Sequence, residues 1–239
     1  MSQSRTFYHI ILDRSGSMGD CIAPTISGVN EQIQHIRHLK QLHPEQEITM
    51  GLTLFNGEVD LAFSDRDPFQ CSLLSNRTYV PDGNTALFDA VGYTLSKLEN
   101  GQRRNENGVA DTYVVIIVTD GYENSSRLYN FTDIRSMIQR LEATGNWTFC
   151  FLGATLDAEH VAESLSIARR NSMRFSKGSM QKEVWHNLSE SMSFYMDQKK
   201  AGIVSKEFLK NNKKAQEKHE LVQSLRKIRT LFQEIKSRL

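Results

Sequence analysis

Cysteine is scarce in this chain. Three cysteines, Cys21, Cys71 and Cys150, are spread over 239 residues. Their odd number and wide spacing exclude a disulfide framework and a zinc-ligand pattern. Long apolar runs are missing too. No stretch approaches the roughly 20 apolar residues that a membrane-spanning helix needs. No leader pattern is visible, because Met1-Ser2-Gln3-Ser4-Arg5-Thr6 runs directly into an apolar segment. There is no internal repeat and no Walker loop. These absences predict a reduced, cytoplasmic protein that makes no use of a membrane. Net charge is nearly absent as well, at +1, but it is unevenly placed. From Lys199 onward twelve Lys/Arg stand against four Asp/Glu; before it, seventeen stand against twenty-four. The body is acidic and the tail basic.

What is present suffices for a core. The chain is 39% hydrophobic and 24% charged, which places it with globular proteins. One early stretch stands out: Phe7-Tyr8-His9-Ile10-Ile11-Leu12-Asp13-Arg14-Ser15-Gly16-Ser17. Its apolar part reads as a buried parallel strand. Asp13 then falls at the strand's carboxyl end, where open α/β sheets bind ligands. Asp-x-Ser-x-Ser supplies one carboxylate and two hydroxyls, hard oxygen donors that suit Mg²⁺ or Mn²⁺.

Helical spacing of apolar residues runs from Ile22 to Leu42, and Pro44 stops it. Residues 47–55 alternate as a strand. Asn56-Gly57 and a second alternating run (Val59, Leu61, Phe63) predict a hairpin, so the third strand is an antiparallel edge. Residues 67–75 allow a short helix. Pro81-Asp82-Gly83-Asn84-Thr85 is a turn-rich loop before a helix that starts near Leu87 and ends near Gly101. Residues 102–110 read as a surface loop. Thr112 to Thr119 is the most apolar run and ends in Asp120-Gly121. A helix capped at Thr132-Asp133, a strand over 147–152, a helix over 157–165, a short strand over 172–175 and a helix over 180–196 follow. Alternating strands and helices predict an α/β protein, with a doubly wound, Rossmann-like, mostly parallel six-stranded sheet and helices on both faces. Its expected domain spans residues 1–200. Residues 201–239 form a basic, amphipathic helical tail, with Leu221, Leu225, Ile228, Phe232, Ile235 and Leu239 on a short heptad seam.

If the strands ending at Asp13 and Asp120 are neighbours, Asp13, Ser15, Ser17, Thr85 and Asp120 converge. The segments Asp13-Arg14-Ser15-Gly16-Ser17-Met18, Gly83-Asn84-Thr85-Ala86-Leu87-Phe88-Asp89-Ala90 and Val118-Thr119-Asp120-Gly121 resemble, in that order, the motifs of the von Willebrand factor A family. The resemblance covers about residues 6–200 and is to a stand-alone, bacterial-type member. It implies a metal-ion-dependent adhesion site. Ser15, Ser17 and Thr85 would reach the metal through hydroxyls, and Asp13 and Asp120 directly or through water. A protein partner would supply a carboxylate to the ion. Similar cytosolic domains are associated with AAA+ ATPase assemblies and with stress or tellurium resistance.

Other residues admit blander readings. Asp89 could orient the Thr85 loop or be a solvated helix carboxylate. His35, His38 and His43 could form a zinc site, but no carboxylate or cysteine completes it at ligand spacing. His9 reads as a hydrogen-bonded core or boundary residue, and Cys21, near the metal loop, as a small buried residue rather than a redox-sensitive one. The tail could pair with a partner helix, self-associate or meet nucleic acid. It lacks the aromatic interleaving and base-reading motifs that would favour nucleic acid. A metal-dependent phosphatase or nuclease is the remaining alternative. It is disfavoured because Ser15 stands where dehalogenase-like phosphatases carry their second aspartate, and no residue is placed as a general base.

Overall fold

A computed structural model describes residues 5–101, 111–154, 158–178, 184–203 and 205–209. Six strands form one sheet: β1 (Thr6–Asp13), β2 (Ile48–Phe55), β3 (Val59–Arg66), β4 (Thr112–Thr119), β5 (Trp147–Gly153) and β6 (Ser172–Arg174). Their order is β3-β2-β1-β4-β5-β6. All neighbours pair in parallel except β2 and β3. The antiparallel edge follows from the Asn56-Gly57 hairpin. β3 keeps only Phe63 buried and carries Asp60, Asp65 and Arg66 outward, the charged trim that stops an edge from recruiting further strands.

Among the described residues, five α-helices flank the sheet: α1 (Ile22–Leu42), α2 (Leu87–Asn100), α3 (Phe131–Ala143), α4 (Ala158–Ser164) and α5 (His186–Lys200). Strand alternation divides the core in two. Tyr8, Ile10 and Leu12 of β1 pack with Val29, Ile33 and Ile36 of α1 and Leu188 and Met192 of α5. Phe7 and Ile11 pack on the other face with α2, α3 and α4. Here one register line stacks aromatic rings across three strands. Phe7 lies on Tyr113 at 4.9 Å between centroids, and Tyr113 on Trp147 at 4.1 Å.

Two helix ends differ from expectation. Asn130, not Thr132-Asp133, is the N-cap of α3, and it forms a reciprocal capping box with Asp133. The last helix runs on to Lys200, while residues 180–183 lie outside the described residues. So do the 102–110 loop and the heptad seam from Leu221 to Leu239. Beyond α5, Phe208 and Leu209 are buried in the α1/α5 half of the core. Asn171 holds that segment by accepting from the Phe208 N–H at 2.8 Å and donating to the Lys206 carbonyl at 2.8 Å. Among the described residues, no helix is long and apolar enough to cross a membrane.

Candidate metal centre

The sheet order makes β1 and β4 neighbours, with β2 on the far side of β1. The chain therefore reverses its winding direction at β1 and β4, and a crevice opens at their carboxyl ends. All five predicted residues arrive there. Asp13 ends β1, Asp120 follows β4, and Ser15 and Ser17 lie in the turn between β1 and α1. Thr85 precedes α2, on a loop tied to the β1 turn where the Gly16 N–H donates to the Gly83 carbonyl at 3.0 Å.

The contacts are tight. Ser17 Oγ donates to Asp120 Oδ1 at 2.6 Å and lies 3.2 Å from Ser15 Oγ. A Cβ placed on Gly121 would sit 3.2 Å from Thr85 Oγ1 and 3.7 Å from Ser17 Oγ. Glycine thus keeps the space between those hydroxyls clear. Asp13 is fully buried and held at both oxygens. The Ser15 N–H donates to Oδ1 and Thr119 Oγ1 to Oδ2, each at 2.6 Å. Burial pushes the Asp13 carboxyl above its ordinary pKa; the bonds from Thr119 and Ser15 oppose this, and Asp120 adds to it. An ionised carboxylate has about four lone-pair sites. Asp13 therefore keeps acceptor capacity for a metal or its water. Three hydroxyls beside two carboxylates fit a small, hard dication.

Sequence reasoning misses several supports. Thr119 lies inside a recognised motif yet carries no expected role there. The Tyr79 hydroxyl donates to the Asp13 carbonyl at 2.7 Å. Asn124 Oδ1 accepts from the Thr85 N–H at 2.9 Å. Lys177 is the largest omission. Its Nζ stands 2.7 Å from Asp120 Oδ2, donates to the Ser17 carbonyl at 2.6 Å and reaches Asp20 Oδ2 at 3.3 Å. Burial works against this ammonium, but bonding and attraction from Asp120, then Asp20, outweigh it and raise its pKa. No motif marks Lys177 in sequence.

Asp89 is neither solvated nor bonded to the Thr85 loop. It is buried and accepts from the N–H groups of Arg127, Leu128 and Tyr129, each at 2.8 Å. It thereby pins the loop that leaves Asp120. The zinc alternative fails: His35 bonds Ser193 at 3.0 Å, and among the described residues no three His, Cys, Asp or Glu side chains converge. His9 is buried with Nε2 2.8 Å from Thr53 Oγ1, and Cys21 is buried with burial pushing its thiol pKa up.

A doubly wound sheet with this crevice defines a Rossmann-like domain whose site lies at the topological switch point. The family profile of the von Willebrand factor type A domain matches residues 9–189, and the chain belongs to that family. No curated protein matches the sequence. Solved structures share the fold. The ArnB paralog VWA2 from Sulfolobus acidocaldarius is 17% identical with a TM-score of 0.50, over 78% of this chain and 46% of that one. The PilB minor pilin from Streptococcus sanguinis is 13% identical at 0.55, over 82% and 63%. The vWF domain of the type V pili tip protein Mfa5 from Porphyromonas gingivalis is 9% identical at 0.57, over 81% and 97%. The chain thus spans less than two thirds of the length of the first two.

Proposed function

We propose that this chain is a non-enzymatic, cytoplasmic protein-binding module. It takes up Mg²⁺ or Mn²⁺ on Asp13, Ser15, Ser17, Thr85 and Asp120 and holds a partner's carboxylate through that ion. One observation carries the reading: loops from three parts of the chain bring three hydroxyls and two carboxylates to one point. Two carboxylates balance a dication. Octahedral coordination leaves a position for water or an incoming acid. The loops that carry the site also expose Val80 (57%), Tyr122 (56%) and Leu128 (78%), apolar and aromatic side chains of the kind that a partner surface buries. A pilus tip protein and a minor pilin share the fold, company that favours an interaction role. The resemblance favours an AAA+ ATPase-associated or stress-related assembly, with the basic tail as a second contact through a partner helix or self-association. Hydrolysis is less well served, since Lys177, which touches the set, is held in its charged form and offers no general base.

The test is titration with MnCl₂ beside partner capture. The intact protein binds Mn²⁺ saturably and Asp13→Ala does not. Capture in Mg²⁺ is lost with chelator and in Asp13→Ala. Saturable binding that survives Asp13→Ala sinks the metal assignment. Capture that survives both treatments moves the interaction to the tail.

A further inference from the structure

Lys177 places a cation of the protein's own on a carboxylate that the proposed metal would need. Its segment leaves β6 and crosses to the β1 turn, where Nζ donates to the Ser17 carbonyl and Asp20 Oδ2 and forms an ion pair with Asp120 Oδ2. The Asp120 side chain is fully buried in this arrangement, while that of Lys177 is 32% exposed. Ser17 and Asp20 belong to the turn between β1 and α1, and Asp120 to the loop after β4. Asp20 is well exposed at 83%, so water and salt screen its share of the attraction.

We infer that Lys177 is an intramolecular competitor of the divalent ion, a tethered ammonium that occupies Asp120 in the metal-free protein and withdraws on loading. The inference rests on the metal reading above and adds a residue that sets its affinity. A dication lies about 2.1 Å from its ligand oxygens. A dication sharing Asp120 Oδ2 with Lys177, which lies 2.7 Å from that oxygen, would stand no more than about 5 Å from the ammonium. At that separation, in a partly buried site, like charges repel strongly. Asp13 and Asp120 together neutralise the dication alone, and only screened Asp20 remains for Lys177. The ammonium therefore lowers metal affinity and keeps the buried carboxylate paired when no ion is present. An unpaired buried charge is costly, and the pairing offsets that cost.

The experiment is Mn²⁺ titration of the full chain and of Lys177→Met, which keeps the length of the side chain and removes its charge. We expect Lys177→Met to bind Mn²⁺ at least tenfold more tightly. A second measurement needs no variant. Acetylation of Lys177 by an amine-reactive reagent, read by peptide mass spectrometry, should run faster in Mn²⁺ than in chelator, with exposed Lys200 as the internal standard. Equal or weaker binding by Lys177→Met overturns the inference and leaves the metal reading standing. So does Lys177 labelling that ignores Mn²⁺. Failure of both proteins to bind Mn²⁺ overturns the inference and the metal reading together.

Discussion

Thr119 shows how a hydroxyl outside the five proposed ligands can control them. Its Oγ1 donates to Asp13 Oδ2 at 2.6 Å and is 3.1 Å from the Gly121 N–H, which donates to it. One atom thus fixes the carboxylate at the end of β1 and the turn that carries Asp120. Partners that orient ligands in this way are worth about 10–100-fold in metal affinity. Thr119→Val keeps the β-branched shape and removes the hydroxyl. It should weaken Mn²⁺ binding by about that factor while leaving the far-ultraviolet circular dichroism unchanged. Unaltered affinity would mean that Asp13 needs no such orientation. The legibility of the site divides at this scale. Asp13, Ser15 and Ser17 are readable because an apolar run ends abruptly in a motif, and Asp120 because a second run ends likewise. Lys177 is not. Ser176-Lys177-Gly178 has no period and no motif, and its approach to Asp120 depends on where β6 joins the sheet. Lys199 misleads in the opposite way. In sequence it opens the basic run, yet its Nζ donates to Thr6 Oγ1 at 2.5 Å and Thr112 Oγ1 at 2.7 Å. Only the docking of α5 under the starts of β1 and β4 reveals that.

Elements were more legible than contacts between them. The β4 run and the α1 period occupy the residues that their apolar patterns predict, because strand and helix periods are local properties. How α1 meets α5 is not local. Gly28 sits in the interior of α1, where intrinsic propensity favours alanine by about 1 kcal/mol. A Cβ there would stand 1.9 Å from Trp185 Nε1 and 2.0 Å from its Cδ1. The indole is fully buried, and the Trp185 carbonyl accepts from Gln32 Nε2 at 3.0 Å, so the ring has little room to retreat. Steric cost therefore exceeds propensity. Gly28→Ala should destabilise the protein by about 1–3 kcal/mol, read from the urea midpoint. An equal or higher midpoint would show that the α1/α5 contact is loose enough to repack.

Across the whole molecule, two buried bases tilt stability upward with pH. His9 lies inside β1, hydrogen-bonded to Thr53, which bonds Thr94 of α2 in turn at 2.9 Å. Burial alone lowers its pKa from 6.5 to about 3. The folded chain keeps His9 neutral in that interval while the unfolded chain takes a proton, so stability falls as pH drops from about 6.5 towards 3. Burial likewise lowers Lys199 to about 8, with Asp111 opposing. Between there and its ordinary 10.5 the unfolded chain again holds the extra proton, so stability rises with pH through that window. Each group contributes a slope of up to about 1.4 kcal/mol per pH unit inside its own window and little between them. Carboxylates also titrate on the acid side, so the variant decides what belongs to His9. His9→Gln retains hydrogen-bonding capacity and cannot titrate. Urea unfolding from pH 7.5 to 4.5 should show a clearly shallower fall for His9→Gln than for the wild type. Matching slopes would mean that the imidazole reaches water, or a compensating charge, in the folded sheet. A shallower slope would show that the centre of the sheet excludes protons right up to the strand whose end carries Asp13.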